Sequence, residues 1–277
     1  MSLTVASLHI HPIKSLGGFS VPEARITDRG FAHDRRWMLV DGSGRFISQR
    51  ENARMACLHC APWAGGFRVT DIRNSGSIDL PWTITTGTAT QTTIWNDPVI
   101  TLDAPPEVSA WFTRGLEMDV RLVFMPDNAM RPVDPTYAQG INSLSDGYPY
   151  LILSQASLDD LNARVAHSSS PSAGERIPMD RFRPNIVITG GSAHQEDGWK
   201  DISIGSARFA LVKPCARCMI PTIDQRTGER GKEPSRTLAT YRAYDNKVLF
   251  GMNAMATKGD VVRVGDLVAD PLHEEIT

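Results

Sequence analysis

The apolar runs of this chain are no longer than a β-strand needs. The longest, such as Tyr150-Leu151-Ile152-Leu153, are strand-sized, and Gly, Asn and Asp turns separate one from the next. A bilayer-spanning helix needs about 18 consecutive apolar residues, so no membrane span is expected. Short β-branched segments between turn signals point to barrels or sandwiches rather than a doubly wound sheet. Trp37–Val40, the turn Asp41-Gly42-Ser43-Gly44 and then Arg45–Ser48 read as one hairpin. Phe67–Ile72, Asn74-Ser75-Gly76 and Ile78–Leu80 read as another. The Thr-rich stretch Trp82–Trp95 suits a pleated surface. Further strands are expected at Arg121–Met125, Asn185–Thr189, Ala207–Val212 and Val261–Val268.

Two helices interrupt this pattern. Pro105-Pro106-Glu107 opens the first, with Val108, Trp111 and Phe112 on one face and Gly115 as its stop. Ser157 caps the second, Asp160 takes the capping-box position, and Leu158, Leu161 and Val165 form its apolar stripe. The expected fold class is therefore mostly β with a few helices. A boundary near residues 104–116 divides it into domains 1–110 and 111–277. Ser168-Ser169-Ser170-Pro171-Ser172 reads as a surface loop.

A chain of 277 residues, 41% of them hydrophobic and 22% charged, can bury a core in each of two domains. Twenty-nine Lys+Arg against 31 Asp+Glu leave a net charge of −2. Bulk charge thus recruits neither nucleic acid nor an anionic membrane, and any anion site must be local. The N-terminus lacks a basic segment followed by an apolar one, so no signal peptide is read. Four cysteines are too few for a disulfide scaffold, and the expected compartment is the reducing cytoplasm.

Those cysteines form two Cys-x-x-Cys pairs, Cys57/Cys60 and Cys215/Cys218. Residues 61–214 lie between them, against the about 15–20 of a zinc ribbon, although tertiary folding could still join four thiolates on one zinc. Cys57 and Cys60 read as buried apolar thiols. The second pair lies between Lys213-Pro214 and Pro221, with Arg217 inside it. Pro221-Thr222-Ile223 argues for a loop entering a strand rather than a thioredoxin-like helix. Cationic neighbours favour a thiolate, so this segment suits either a soft-metal ligand or simple burial.

Local cations supply the other candidates. Pro12-Ile13-Lys14-Ser15 before Gly17-Gly18 combines an ammonium, a hydroxyl and flexible backbone, which can hold phosphate or form a plain surface turn. In Asp34-Arg35-Arg36-Trp37 only one arginine of a strand start can face a given site. Pro184 forces Arg183 into extended geometry, which places Arg181, Arg183 and Asn185 on one strand face. Guanidinium forks suit phosphate, and the Asn185 amide suits a heterocycle edge. No dinucleotide glycine motif, Walker loop, iron–sulfur cysteine run, Gly-x-Ser-x-Gly elbow or His-Glu-x-x-His is present.

In order, these segments resemble the MOSC family, the molybdenum-cofactor-sulfurase C-terminal domain proteins, in the bacterial YcbX and mitochondrial amidoxime-reducing type. The resemblance rests on His11–Ser15, Asp34–Trp37, Asp146-Gly147-Tyr148-Pro149, Leu153–Leu158, Arg181–Ile188, Lys213–Asp224 with Thr227-Gly228, Lys232-Glu233-Pro234, Phe250–Asn253 and Val264-Gly265-Asp266. It implies an N-terminal MOSC β-barrel domain packed on a MOSC β-barrel domain. It also implies a molybdenum cofactor, a pterin dithiolene with a terminal phosphate, with Cys218 as metal ligand and catalytic anchor. Lys14, Ser15, Arg35, Asp146, Arg183, Asn185 and Arg217 are the implied cofactor-binding residues. Asp224 either orients the cysteine loop or caps a turn.

The implied activity is reduction of small N-hydroxylated compounds, amidoximes and hydroxylamines, to amidine or amine with release of water. The sequence ends at Thr277 without the ferredoxin-like domain of some longer relatives. Electrons are therefore expected from a separate donor protein, ferredoxin-like or a flavoprotein reductase. Two other classes stand beside this one: a cofactor or sulfur carrier using a cysteine persulfide, and a zinc-stapled structural module.

Overall fold

The computed structural model describes residues 2–167 and 176–269, so the serine-rich stretch 168–172 lies outside the described residues. The larger of its sheets has nine strands. In spatial order they are Val268–Ala269, Asp201–Ile204, Ala207–Ala216, Lys247–Lys258, Tyr150–Ser154, Ile186–Thr189, Thr4–Ile10 and Phe19–Val21, with Ala243–Tyr244 paired on Lys247–Lys258. Tyr150–Ser154 pairs parallel to Ile186–Thr189, and the helix Gln155–Ala166 lies in the connection that a parallel pair requires. Tyr150–Ser154 is buried along its whole length, as suits a strand covered on both faces. The sheet curls until Thr4 bridges Leu267, beside the far edge strand, and Val268 N donates to Leu3 O at 2.9 Å. Inside this curl Tyr150 meets Phe31 and Phe209 edge-on, with ring centroids 4.9 and 5.2 Å apart.

The second lobe is built on Trp37–Val40, Arg121–Phe124, Asp97–Asp103 and Ala89–Ile94, in that order, beside a meander of Leu58–Trp63, Gly66–Asp71 and Gly76–Pro81. Alternating burial along Gly66–Asp71 and Asp97–Asp103 gives each strand a core face and a wet face. The helix Pro106–Leu116 buries Val108, Phe112 and Leu116, one turn apart, in the same core as Trp37 and Phe67. Strand pairing crosses the chain in both lobes: Trp37–Val40 pairs with Arg121–Phe124, and Thr4–Ile10 with Ile186–Thr189. Among the described residues no helix is long and apolar enough to cross a membrane.

The meander hairpin and the strands at 121–124, 186–189 and 207–216 follow the sequence reading. Other details differ. The second helix starts earlier, because Ser154 is its cap: the Ser154 Oγ accepts from Ser157 N at 3.0 Å, which puts Ser157 inside the first turn. The first helix runs past Gly115 to Leu116, and Glu117 takes the left-handed cap conformation at φ 51°. Arg45–Ser48 forms no strand; Phe46 makes a single bridge to Val40, while the Asp41 carboxylate ties the turn through Ser43 N and Arg45 N. Only Ala89–Ile94 of the Thr-rich stretch is strand. Val261–Val268 breaks into Val261–Arg263 and Val268–Ala269 around Gly265, whose φ is 89°.

Candidate functional site

The strand Ala207–Ala216 carries the second cysteine pair to its place. Its pairing with Lys247–Lys258 shifts register between Leu211 and Lys213 and again between Pro214 and Ala216. Proline is tolerated at such bulges, and a bulge re-aims the residues beyond it. Cys215 therefore ends a strand and Cys218 lies in the loop beyond it, so the loop leaves a strand where the sequence reading had it entering one. Both thiols are part-exposed and line one cleft, open to solvent and enclosing about 760 Å³ of empty space with its mouth.

The cations reach these sulfurs differently from the expectation. Arg217 Nη1 donates to Cys215 Sγ at 3.1 Å, and its Nη2 to Phe182 O at 2.9 Å. Lys213 lies over the rings of Tyr137 and Tyr148, 4.1 and 5.1 Å from their centroids. The guanidinium on Cys218 comes from the other lobe: Arg50 Nη2 donates to its Sγ at 3.3 Å, and Ile220 N does so at 3.5 Å.

Lys14 and Ser15 enter the cleft on the turn after Thr4–Ile10, with Ser15 left-handed at φ 67°. Lys14 is 4% exposed, and its Nζ donates to Leu144 O at 3.0 Å and to Asp146 Oδ1 at 2.5 Å. Burial pushes this ammonium down to about 8, against the pull of Asp146. Burial alone would raise the Asp146 carboxyl, but Lys14 and Arg50 outweigh it and hold the carboxylate well below its usual range. Arg131, buried, carries this loop by donating to Ser143 O, Ser145 O and Asp146 O.

Arg35 and Asn185 lie where the lobes meet. Arg35 is left-handed at φ 48° in a turn before Trp37–Val40, not at a strand start. Its Nη1 donates to Asp34 Oδ2 and to Asn185 Oδ1, at 2.5 and 2.9 Å, and its Nη2 to Arg183 O at 3.0 Å. Arg36 points away, to Met125 O and Asp127. Asn185 Oδ1 also accepts from Leu151 N at 3.2 Å, and Asn185 Nδ2 donates to His9 O at 3.3 Å. The strand alternation expected for residues 181–185 does not form. Met179–Phe182 is a 3-10 turn, and Arg183 follows it at φ 58°, ψ 44°. Extended geometry is a bias before proline, and here the turn overrides it. Arg181 consequently leaves the cleft to pair with Asp224 Oδ2 at 2.7 Å, while Arg183 and Asn185 line it.

Asp224 caps a turn and pairs with Arg181. Its Oδ1 accepts from Arg226 N and Thr227 N, capping the turn, while its Oδ2 holds Arg181, whose Nη1 donates to Pro221 O at 3.3 Å. Cys57 and Cys60 are buried in the first lobe, and burial pushes the Cys60 thiol up to about 12. Among the described residues no three His, Cys, Asp or Glu side chains gather as a metal site, so the four thiols form no zinc cluster.

The cleft thus brings together all eight predicted residues: Cys218, Arg217, Lys14, Ser15, Arg35, Asp146, Arg183 and Asn185. The residues fit the implied prosthetic group chemically. One wall offers a soft sulfur, the others guanidinium, ammonium and amide groups. Arg183 Nη2 and Arg217 Nε are buried donors without a protein partner, which an anionic ligand can satisfy. Burial, then the Arg35 charge, pushes Arg183 down to about 10, so an anion there relieves repulsion between two guanidiniums. Arg50 and Arg131 went unread in the sequence, because neither sits in a motif or beside a residue it serves.

Comparison with known proteins matches two family descriptions to this chain. Residues 2–119 match the MOSC N-terminal beta barrel domain, and residues 139–269 the MOSC domain. Mitochondrial amidoxime-reducing component 1 of Mus musculus is 31% identical over 96% of this chain and 81% of its own length. Mitochondrial amidoxime reducing component 2 of Rattus norvegicus is 31% identical over 96% and 82%. Molybdenum cofactor sulfurase of Homo sapiens is 28% identical over 98% of this chain, which spans 32% of that protein.

Proposed function

The chain belongs to the MOSC family, and from that premise we propose that its cleft binds a molybdenum cofactor and reduces small N-hydroxylated compounds with electrons from a separate donor protein. One observation carries the reading: a part-exposed thiol, Cys218, opens on the same cleft as Lys14, Arg35, Arg183 and Asn185. When bound, the cofactor supplies the two-electron chemistry. The chain's residues do the rest. Cys218 provides the metal ligand, on a loop that Asp224 and Arg181 brace. Lys14 and Arg183 neutralise the phosphate tail. Asn185 and Arg35 lock the lobes together, which keeps these groups in fixed relation. The overall change is R–NHOH plus two electrons and two protons giving R–NH2 and water.

Molybdenum and pterin are measured on the purified chain, and reduced viologen dye is then supplied with benzamidoxime. About one molybdenum per chain, lost in Cys218→Ser, together with benzamidine formation supports the proposal. Zinc without pterin ends it. The 28% identity to a molybdenum cofactor sulfurase favours a second reading, a carrier of cofactor or persulfide sulfur without turnover. Loaded protein that yields no product, or a persulfide on Cys218 without molybdenum, selects that one.

A further inference from the structure

Arg50 lines the cleft from the first lobe, and its position is fixed from backbone to tip. Gln49 Nε2 donates to Ser15 O at 2.7 Å, and the Gln49 and Gln225 amides pair reciprocally at 3.1 Å. Arg230 Nη2 donates to Arg50 O at 2.7 Å. The backbone of 49–50 is thereby clamped to the chain just beyond Cys218. The Arg50 guanidinium lies 4.7 Å from the Trp95 ring centroid. Its Nη2 carries two protons, and its two partners are Asp146 Oδ2 at 3.2 Å and Cys218 Sγ at 3.3 Å. The side chain is only 19% exposed. A solvated surface arginine gives up its rotamer freedom to no such set of partners.

We propose that Arg50 is a positioning residue for Cys218: it fixes the sulfur in the cleft and tempers its electron donation, with Asp146 and Trp95 as its own anchors. The proposal rests on the reading of the cleft as a molybdenum site. The effect is electrostatic. A charged N–H directed at a thiolate withdraws electron density from sulfur, and hydrogen bonds to a ligand sulfur tune the potential of the metal it binds. Asp146 completes a relay, because the carboxylate that orients Arg50 is the one that accepts from Lys14. Arg50 thus touches the cysteine from the first lobe, and Asp146 of the second ties it to Lys14, in the order Lys14–Asp146–Arg50–Cys218.

The test uses the full-length, cofactor-loaded chain with Arg50→Gln and Arg50→Lys. Readouts are molybdenum content, midpoint potential, the Mo(V) paramagnetic resonance signal, and kcat and KM for benzamidoxime. Partners of metal ligands typically carry about 10–100-fold in affinity or activity. Arg50→Gln is expected to lower kcat by that order with KM little changed, to alter the Mo(V) signal, and to lower the potential; Arg50→Lys recovers part of each. A glutamine variant that keeps its metal, potential and kcat overturns the proposal. Equal loss of metal from both variants, with unchanged melting, also overturns it, since Arg50 would then hold the cofactor itself. A wild-type chain that takes up no molybdenum refutes the cleft reading instead. Alkylation of the cofactor-free chain then decides the contact: Arg50→Gln changes the iodoacetamide rate at Cys218 severalfold and spares Cys215, whereas an unchanged Cys218 rate overturns the inference.

Discussion

Lys14→Met exposes the cost of burying an ammonium in the cleft wall. Burial is the largest cause that pushes Lys14 down to about 8 in the folded chain, from 10.5 for an unperturbed lysine. Its folded pKa is depressed, so between those two values the unfolded chain holds more protons and stability rises with pH. At 1.36 kcal/mol per pH unit, the cost is about 3 kcal/mol at neutral pH, and roughly 2 kcal/mol of it disappears between about pH 7 and about pH 9.5. Asp146 is ionised throughout this window, so its loss of a partner adds a constant offset. Other alkaline titrations, such as those of buried thiols, are common to both proteins and cancel in the difference. Denaturant unfolding of wild type and Lys14→Met at the two pH values measures this directly. The wild type is expected to gain about 2 kcal/mol on the variant as pH rises. A difference that does not move with pH would refute the claim that Lys14 is buried as a strained cation.

The same geometry gives two further outcomes. In native cofactor-free protein, iodoacetamide is expected to label Cys215 and Cys218 well before Cys57 and Cys60, which are buried and raised by desolvation; mass mapping of early adducts checks the order. Asp224→Ala removes a turn cap and the partner of a buried arginine at once, and is expected to cost about 2–4 kcal/mol in chemical denaturation, with faster alkylation of Cys218 as its loop loosens.

Much of the site was legible because its residue types sit in short local patterns. The thiol pair between prolines, the Lys14–Ser15 turn and the Arg183–Asn185 segment each also admit simple burial or a plain surface turn, and it is their order along the chain, through the family resemblance, that singles them out. Local geometry near proline misled: the residue before Pro184 is biased towards extended backbone, yet the 3-10 turn at Met179–Phe182 sets Arg183 left-handed and sends Arg181 to Asp224. The early start of the second helix has a similar cause, since Ser154 and Ser157 are both competent caps, but the Ser157 hydroxyl is engaged by Glu196 and His194 while Ser154 Oγ accepts from Ser157 N.

Read alone, the sequence determined the class of the fold and the inventory of chemistry. Strand-length apolar runs between turns can bury their faces only in sheets, and two Cys-x-x-Cys pairs are visible at any folding stage. Burial of Cys57 and Cys60 follows the sequence reading, whereas the opening of Cys215 and Cys218 on one cleft, rather than their burial, was a tertiary decision. So was the source of the charge beside Cys218, because Arg50 lies 168 residues away in sequence and no local pattern encodes a contact of that span. Side-chain periodicity reports which face of a strand is covered, but not what covers it; that depends on how the two lobes are seated, and it is there that the Cys218 thiol meets its guanidinium.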